Sequence, residues 1–323
     1  MAALVIGASG QDGSYLTKQL LEEGQRVVAV GRSIERDDPP NWRRVGVPAG
    51  AERRQLDYGD LEAMAALLDE VRPDAVYLLA GLSSVRRSFE VPHAAVESHV
   101  GPALTVLEAV RLKSPDSHVV LASSTDVFGR LDTVGDELCP FRPSSPYAAG
   151  KAAACTIARS YRELYGLRCS NAFMSNHESA LRSPDFLFGK LLAGLRDLAA
   201  GTTDAPIVTG SLEVERDWGY APEYAAALRL VAAQDESHDL VLATGHDVLL
   251  REAVHDLFRA FEIDPDRFLD EQSDPATPSM VDRQSWNPAQ AKAVLGWEAQ
   301  TYFPALAEIL ADDVRRFPSP LDR

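Results

Sequence analysis

The sequence has few cysteines and no long apolar run, and each absence excludes a class of protein. Its 323 residues include three cysteines, Cys139, Cys155 and Cys169, and none of them forms a Cys-X-X-Cys motif. Neither a metal site nor a disulfide framework is therefore expected. No apolar run approaches the roughly 20 residues of a membrane-spanning helix. The chain also opens on an apolar strand-like run instead of the basic segment of a signal peptide, so we expect a cytoplasmic protein with no membrane contact.

Positive charge is scarce as well. The chain carries 32 lysine and arginine residues against 48 aspartate and glutamate residues, which gives a formal net charge of -16. An acidic excess of this kind repels nucleic acids, so no nucleic-acid partner is expected. An anionic ligand would have to be held by a few well-placed cations.

The sequence is rich in alternating strand-like and helix-like stretches. The apolar strand-like runs lie at residues 2–6, 26–30, 74–81, 118–122 and 167–173. This alternation predicts an α/β fold with a Rossmann-type doubly wound parallel sheet. The later pattern is less regular and predicts a smaller C-terminal α/β substrate-binding lobe. We expect residues 1–173, with interleaved later segments, to form the dinucleotide-binding domain and residues 174–323 to form mainly the lobe.

A glycine-rich turn, Gly7-Ala8-Ser9-Gly10-Gln11-Asp12-Gly13, follows the first strand. Glycines at this spacing allow a tight turn, close approach of the backbone to a pyrophosphate and close packing of the next helix on the strand. We predict that helix over residues 15–23, with its N-terminus facing the phosphates. A plain glycine-rich turn is the alternative, but the strand–turn–helix context favours a dinucleotide site.

The end of the second strand bears on which dinucleotide is bound. An acidic residue at this point suits the ribose of NAD, whereas an arginine suits the 2′-phosphate of NADP. Arg32 occupies the position, so NADP is favoured over NAD, with an ordinary surface arginine as the alternative. Residues 34–51 are polar and rich in proline and arginine, and they predict a long loop at the cofactor or at a subunit contact. Asp60 precedes a predicted helix over residues 61–71 and is expected to cap it, to contact an adenine, or to do both.

Tyr147 and Lys151 form a Tyr-X-X-X-Lys pair shortly after the strand at residues 118–122. Residues four apart share one helix face, and a neighbouring cation lowers the pKa of a phenol from its usual value of about 10. Such a pair is often only a solvated helix face, but the glycine turn favours a catalytic role. Ser124 and Asp126 lie at the carboxyl end of the same strand, where catalytic residues of parallel sheets collect.

Several short runs spread over most of the chain resemble one family. They are Gln-Asp-Gly-Ser-Tyr-Leu at 11–16, Gly-Asp-Leu at 59–61, Ser-Phe-Glu at 88–90, Ser-Pro-Tyr-Ala-Ala at 145–149, Asn-His-Glu-Ser at 176–179, Arg-Asp-Trp-Gly at 216–219 and Lys-Ala-Val-Leu-Gly-Trp at 292–297. Together they resemble the extended short-chain dehydrogenase/reductases that act on nucleotide sugars, and among these the GDP-mannose 4,6-dehydratase family.

The resemblance implies a reaction in three parts. Tyr147 deprotonates the sugar 4-hydroxyl while C4 gives a hydride to NADP+, with Ser124 hydrogen-bonded to the same oxygen. Asp126 then removes the C5 proton and helps to expel the C6 hydroxyl as water. The hydride finally returns to C6, so the cofactor is regenerated without being released. A homodimer or homotetramer is also implied.

The expected contacts with ligands fall into two sets. Cofactor contacts are expected from Gly7, Ser9, Gly10, Gln11, Asp12, Gly13, Arg32, Asp60, Leu61, Leu79, Ala80, Tyr147 and Lys151. Substrate contacts are expected from Ser83, Asn176, Glu178, Lys190 and Arg216. Among these, Asn176, Lys190 and Arg216 would hold the diphosphate and Ser83 would face the hexose. His177 is expected to be structural, because a histidine in a buried loop is commonly hydrogen-bonded in place.

Four positions depart from the family. The family's Thr-X-Glu strand end is Ser124-X-Asp126 here, and the aspartate is shorter by about 1.5 Å, although proton transfer demands hydrogen-bond reach. The family's Arg-Pro, whose arginine meets the diphosphate, is Thr277-Pro278, and a glycine expected before the final helices is Trp286. These changes indicate altered nucleotide or sugar specificity.

Three hypotheses for the function therefore stand. The first is a 4,6-dehydratase acting on GDP-mannose or a related nucleotide hexose, which needs only catalytic NADP+. The second, favoured by the Ser-X-Asp strand end, is an NADPH-consuming 4-keto-6-deoxy sugar reductase or an epimerase on the same scaffold. The third is a nucleotide-sensing protein without catalytic activity, and the intact Ser124, Tyr147 and Lys151 argue against it.

Overall fold

The computed structural model describes residues 1–32, 34, 39–272 and 283–316. The departure at Thr277-Pro278 lies outside the described residues. In the first half, the strands are β1 Ala2–Ile6, β2 Arg26–Gly31, β3 Glu52–Gln55, β4 Ala75–Leu78, β5 His118–Ser124 and β6 Cys169–Met174. The helices are α1 Gln11–Glu22, α2 Pro40–Val45, α3 Leu61–Val71, α4 Val85–Glu90, α5 Pro92–Lys113 and α6 Pro146–Tyr165.

The second half contains shorter strands. These are β7 Asn176–Glu178, β8 Ile207–Thr209, β9 Glu215–Tyr220, β10 Asp239–Leu242, β11 Asp247–Leu249 and β12 Leu269–Glu271. The helices are α7 Leu187–Ala199, α8 Ala221–Ala232, α9 Leu250–Ala260, α10 Pro265–Phe268, α11 Ala289–Leu295 and α12 Ala305–Arg316.

Seven strands of the described chain form one sheet in the order β10-β6-β5-β4-β1-β2-β3, and each adjacent pair is parallel. The order reverses direction between β1 and β4, which confirms the predicted Rossmann-type doubly wound fold. Strands such as β1 are apolar on both faces because helices cover both sides of the sheet. Leu16 and Leu20 of α1 pack on one face, and Met64 and Leu68 of α3 pack on the other.

The smaller lobe is built from a three-stranded sheet, β11-β9-β7, and a two-stranded sheet, β12-β8. Helices α7, α9 and α12 bury a shared apolar core that includes Leu191, Leu195, Leu257, Phe258 and Leu310. Strand β10 returns to the main sheet beside β6. The proposed division at residue 173 stays a prediction. None of the helices in the described ranges is long and apolar enough to cross a membrane.

Three local expectations were wrong. Helix α1 begins at Gln11, four residues before the predicted start, because the chain becomes helical directly after Gly10. The predicted loop over residues 34–51 contains helix α2, whose first residue is a proline with a φ angle suited to a helix start. Strand β3 was missed because its sequence, Glu-Arg-Arg-Gln, lies at the edge of the sheet and has no apolar run.

Candidate active site

The sheet's carboxyl edge brings the predicted site residues together. The ends of β1 and β4 are adjacent, with the Leu79 amide donating to the Ile6 carbonyl at 2.9 Å. Strand β5 lies beside β4 and ends at Ser124. This edge, at the point where the strand order reverses, is where open α/β sheets bind ligands.

The glycine turn packs too tightly for side chains at two positions. Gly7 has a φ angle of +91°, and a Cβ added there would lie 2.9 Å from the Ala80 backbone nitrogen. A Cβ on Gly13 would lie 2.3 Å from the Gly7 carbonyl oxygen and 2.7 Å from the Cα of Ala8. Glycine at these positions therefore lets α1 and the turn rest directly on the ends of β1 and β4.

The turn has the donors that a dinucleotide pyrophosphate needs. Gly10 is the N-cap of the 12-residue helix α1, and no side chain among the described residues caps it. The first N–H groups of a helix have no partner within the helix, and its N-terminus attracts anions. Residues 7–13 therefore fit a bound dinucleotide. The Gly10 amide donates to the Gly7 carbonyl at 3.1 Å, so the backbone donors at the helix start are the amides of Gln11, Asp12 and Gly13.

Changing Gly13 to alanine tests this packing. We expect Gly13→Ala to lower the free energy of unfolding by about 1–3 kcal/mol, because the added methyl group collides with backbone atoms. It should also weaken cofactor binding, measured by titration. The matched control is Gly101→Ala in α5, where an added Cβ meets no atom of the described chain within 4 Å. That control should gain about 0.5–1 kcal/mol, and a similar loss in both variants would contradict the packing argument.

Helix α2 supports the glycine turn from the side. The Asn41 side-chain amide donates to the Ser9 carbonyl at 3.0 Å, and the Trp42 indole N–H donates to the Ala8 carbonyl at 2.8 Å. These contacts could not be predicted from the sequence, because they join residues 32 and 34 positions apart through an irregular segment. They place the predicted loop region against the candidate cofactor site.

A buried polar network fixes the first turn of α1 against β7. The His177 Nε2 lies 3.1 Å from Asp12 Oδ1, and the Gln11 side chain donates to the His177 carbonyl at 3.2 Å. The Ser179 hydroxyl donates to Gln11 Oε1 at 2.9 Å. Burial alone would raise the pKa of Asp12, but the His177 and Arg182 charges lower it to about 2. His177 thus has a structural environment and joins the two halves of the site.

Ser124, Asp126 and Tyr147 lie close together beyond the end of β5. The Ser124 hydroxyl accepts from the Asp126 amide at 3.1 Å and is hydrogen-bonded to the Tyr147 phenol. Tyr147 is in the first turn of α6, and its side chain is buried. The Lys151 ammonium, one turn further along α6, donates to the Ala122 carbonyl at 2.6 Å.

The pKa of Tyr147 is raised, whereas the sequence pattern predicts that a neighbouring cation lowers it. Burial raises it above its ordinary value and the Asp126 carboxylate raises it further, whereas the Ser124 hydrogen bond and the Arg182 charge lower it. Lys151 is not among the groups that shift the Tyr147 pKa, and burial lowers the pKa of its own ammonium to about 8. Burial of the phenol therefore sets the direction of the shift.

Asp126 lies in the single 3-10 turn that follows β5. Burial raises the pKa of its carboxyl group, whereas hydrogen bonds from Gln284 and Ser124 and the charge of Arg216 lower it. A carboxyl group with a raised pKa suits proton transfer near neutral pH better than an exposed one. Its position next to Tyr147 gives the site a second acid–base group.

His99 is a site residue that the sequence did not reveal. Its ring packs edge-on against Tyr147 with centroids 5.4 Å apart, and the side chain is buried. A Cβ at Gly81 would lie 2.4 Å from the His99 ring, so the glycine leaves room for it. The signal was absent because His99 is an isolated histidine in the middle of helix α5.

The expected substrate residues occupy different environments. Arg216 is buried on β9 and electrostatically close to Asp126, and Asn176 lies on β7 in register with Trp218. Glu178 is buried, and its carboxylate lies 3.0 Å from Arg182. The Lys190 ammonium donates to the Val208 carbonyl at 2.5 Å.

The remaining expected residues are exposed on the surface. Ser83 is exposed in the segment after β4. Asp60 caps α3 by accepting from the Ala63 amide at 3.0 Å, which confirms the capping alternative, and Leu61 begins that helix. Arg32 is exposed after β2, and its backbone is hydrogen-bonded to the Tyr58 phenol. Among the described residues, no group of histidine, cysteine, aspartate and glutamate side chains could hold a metal ion.

The comparisons with known proteins agree with this geometry. The family model described as GDP-mannose 4,6 dehydratase matches residues 4–310. The chain is 33% identical to GDP-mannose 4,6 dehydratase 1 of Arabidopsis thaliana, covering 96% of this chain and 89% of that one. It is 31% identical to GDP-mannose 4,6-dehydratase of Vibrio cholerae, covering 98% and 94%.

A solved structure has the same fold. The dTDP-glucose 4,6-dehydratase of Streptomyces venezuelae, solved with NAD bound, superposes with a TM-score of 0.86 at 23% identity over 98% of this chain and 97% of that one. The family match and the identities to curated relatives extend over almost the whole chain. The chain therefore belongs to the GDP-mannose 4,6-dehydratase family.

Proposed function

We propose that the chain is a lyase that converts GDP-mannose, or a closely related nucleotide hexose, into the 4-keto-6-deoxy sugar. The observation that carries this proposal is the meeting of Ser124, Asp126 and Tyr147 beside the glycine turn. A dehydratase needs one acid–base group at O4 and a second at C5, and Tyr147 and Asp126 are adjacent acid–base groups in one buried site.

Tyr147 acts first. A nicotinamide dinucleotide, when bound, accepts the hydride from C4 and later returns it to C6. The phenolate of Tyr147 takes the proton from the 4-hydroxyl, and the Ser124 hydroxyl donates a hydrogen bond to the same oxygen. Burial disfavours this phenolate, and Lys151, one helical turn away, supplies the positive charge that opposes that cost during the reaction. The product of this step is a 4-ketone, which acidifies the neighbouring C5–H bond.

Asp126 acts second. Its carboxylate takes the C5 proton, and the resulting electron pair forms a C5–C6 double bond as the C6 hydroxyl departs. The protonated carboxyl group returns its proton to the departing hydroxyl, so that one water leaves. When the hydride is returned to C6, C5 takes up a proton by way of Asp126. The proton that Tyr147 took from O4 replaces it, so both groups end in their starting ionisation states. Arg216, buried near Asp126, gives the acidic chain a cation for the diphosphate, and Asn176, Lys190, Ser83 and Glu178 complete the proposed substrate contacts.

Product analysis tests the proposed function. Purified protein is mixed with GDP-mannose and a trace of NADP+, and the sugar is followed by mass spectrometry and NMR. We expect loss of one water per sugar over many turnovers, without net cofactor consumption. Unchanged GDP-mannose together with turnover of another nucleotide hexose would correct the substrate, and no turnover of any nucleotide hexose would contradict the proposal.

The proposed cofactor is NADP, with NAD as the weaker ligand. Arg32 supports this, because it follows β2 next to Tyr58 and carries a guanidinium suited to a 2′-phosphate. The relative from Streptomyces venezuelae was solved with NAD, so the preference has to be measured. We expect Arg32→Ala to weaken NADP binding by about 10- to 100-fold, since a charge-assisted hydrogen bond contributes about 1.5–3 kcal/mol, and to leave NAD binding nearly unchanged.

A calorimetric titration of both dinucleotides checks this prediction. Arg43→Ala in the neighbouring helix α2 is the control, because it removes an arginine at a different point of the same surface. Equal weakening of NADP and NAD by Arg32→Ala, or equal affinities in the parent, would remove Arg32 as the determinant.

The second candidate is a reductase of 4-keto-6-deoxy sugars. The Ser124-X-Asp126 strand end favours it, because a reductase needs no C5 base. A reductase would consume NADPH in proportion to product, whereas the dehydratase would recycle its cofactor. Adding a nucleotide 4-keto-6-deoxy sugar and NADPH to the same protein separates the two. Assembly as a homodimer or homotetramer and a cytoplasmic location stay predictions.

A further inference from the structure

A segment over residues 283–288, buried at Gln284, Ser285 and Trp286, lies against the turn that carries Asp126. The Gln284 amide donates to the Glu215 carbonyl of β9 at 3.2 Å. On the other side, the Gly135 amide donates to the Ser285 carbonyl at 2.9 Å, and the Asn287 amide donates to the Gly135 carbonyl at 2.8 Å. The segment is therefore held by main-chain bonds between β9 and the loop at Gly135.

The side chain of Gln284 points from this segment to the candidate catalytic carboxylate. It is only 5% exposed. Its Nε2 donates to Asp126 Oδ1 at 3.4 Å and to the Gly129 carbonyl at 3.5 Å. An amide nitrogen has two hydrogens, and both have an acceptor here. Gln284 thus bridges the two ends of the 3-10 turn, Asp126 at its start and Gly129 at its end.

Trp286 holds the segment in place. It stands where the family has a glycine, and it is 3% exposed. Its ring lies 5.5 Å from that of Phe128, two residues after Asp126. A Cβ on Gly135 would lie 2.6 Å from the Trp286 ring, so that glycine makes room for the indole. The tryptophan therefore packs against the same turn that Gln284 hydrogen-bonds.

We propose that Gln284 is a positioning residue for Asp126, anchored by Trp286, and that it orients the short carboxylate toward the sugar C5 position. This inference rests on the proposed function, in which Asp126 is the C5 base. The aspartate has one carbon–carbon bond less than the family's glutamate, so its carboxylate has less freedom to reach the proton. Fixing Oδ1 to the Gln284 amide leaves Oδ2 for proton transfer.

The groups that surround Asp126 determine how the loss of Gln284 should change the pKa of its carboxyl group. Arg216 approaches from β9, the Tyr147 phenol from α6, and the Ser124 hydroxyl from β5. A hydrogen bond to the ionised carboxylate favours that form. Without Gln284, burial and Tyr147 remain and Asp126 loses one stabilising donor. The pKa of Asp126 should rise, and the fraction of active base at a given pH should fall.

Gln284→Met tests the proposal, because methionine has a similar length and no amide. The pKa of Asp126 is measured by NMR in full-length protein labelled with carboxyl-¹³C aspartate, with Asp126→Asn identifying the signal. We expect this pKa to rise by about one unit, which corresponds to a tenfold change in the ionisation equilibrium. With GDP-mannose, the acidic limb of the kcat–pH profile should move to higher pH, so that kcat on that limb falls roughly tenfold while KM stays nearly constant.

The controls separate positioning from general damage. Gln300→Met removes an exposed glutamine whose amide donates to the Glu298 carbonyl, and it should change neither quantity. Gln284→Asn keeps the amide on a shorter side chain, which moves the amide away from Asp126. This variant should also raise the pKa of Asp126, and it serves as the test if the methionine variant does not fold. In an Asp126→Asn background, Gln284→Met should cause no further loss of kcat, because its effect passes through Asp126.

Failure of the positioning role of Gln284 can be told apart from failure of the proposed function. If the parent protein does not dehydrate GDP-mannose but the pKa of Asp126 rises in Gln284→Met, the hydrogen bond from Gln284 to Asp126 is supported and the proposed function fails. If the parent is active and both Gln284 variants leave the pKa of Asp126 and kcat unchanged, the positioning role is overturned. A fall in kcat with a matching rise in KM and no change in pKa would also overturn it.

Discussion

Replacing Tyr147 with phenylalanine is expected to lower kcat on GDP-mannose by about 10³-fold, in the range typical of lost general acid–base catalysis. Phenylalanine keeps the ring that packs edge-on against His99, so the fold and cofactor binding should be preserved. Only the proton acceptor for O4 is lost. Because C4 oxidation requires that proton transfer, neither the reduced nicotinamide nor the keto sugar should accumulate in a single-turnover measurement.

Tyr161→Phe on the same helix is the matched control for this result. Tyr161 also has a partly buried phenol and donates to Glu108 at 3.1 Å. It lies 14 residues after Tyr147 in α6, so it tests the loss of a tyrosine hydroxyl from that helix without touching the site. Near-parental turnover in Tyr147→Phe, or an equal loss in both variants, would show that Tyr147 is not the O4 base.

Replacing Asp126 with asparagine should separate the two halves of the reaction. Asparagine has nearly the same shape but cannot take the C5 proton, so dehydration should fall by about 10²- to 10⁴-fold. Oxidation at C4 depends on Tyr147 and Ser124 and should persist. We therefore expect reduced nicotinamide to accumulate on the enzyme, seen by its near-ultraviolet absorbance, and exchange of the C5 proton with deuterated water to be lost.

Two further variants sharpen this prediction. Asp132→Asn changes an exposed aspartate six residues away and should behave like the parent. Asp126→Glu restores the family's longer side chain and should retain dehydration, since the carboxylate is kept. If Asp126→Asn dehydrates GDP-mannose at the parental rate, the C5 base is another group.

The parts of the site that could be predicted from sequence are those coded by short local patterns. The glycine turn, the strand ends and the Tyr147–Lys151 pair each depend on residues close in the chain, and periodicity gave the doubly wound sheet. The boundaries were less exact, as the early start of α1 at Gln11 and the missed edge strand β3 demonstrate. Edge strands and short helices bury too little apolar surface to leave a clear pattern.

The residues that escaped prediction act across long separations. Gln284 contacts Asp126 over 158 positions of sequence, and Trp42 contacts Ala8 over 34. A lone glutamine or tryptophan carries no sign of such a partner. The direction of the Tyr147 pKa failed for a related reason. Helical spacing indicates that Lys151 is near, but only the folded environment reveals that burial of the phenol sets the direction of its pKa shift.

The central claim is that one site removes hydrogen from C4, expels water across C5 and C6, and returns the same hydrogen to C6. The most direct test supplies GDP-mannose deuterated at C4 with a trace of unlabelled NADP+ and locates the label in the product by NMR. The account predicts a 4-keto-6-deoxy sugar with deuterium at C6 and a cofactor pool that is not consumed. Deuterium retained at C4, or transferred to cofactor that is consumed in proportion to product, would contradict it.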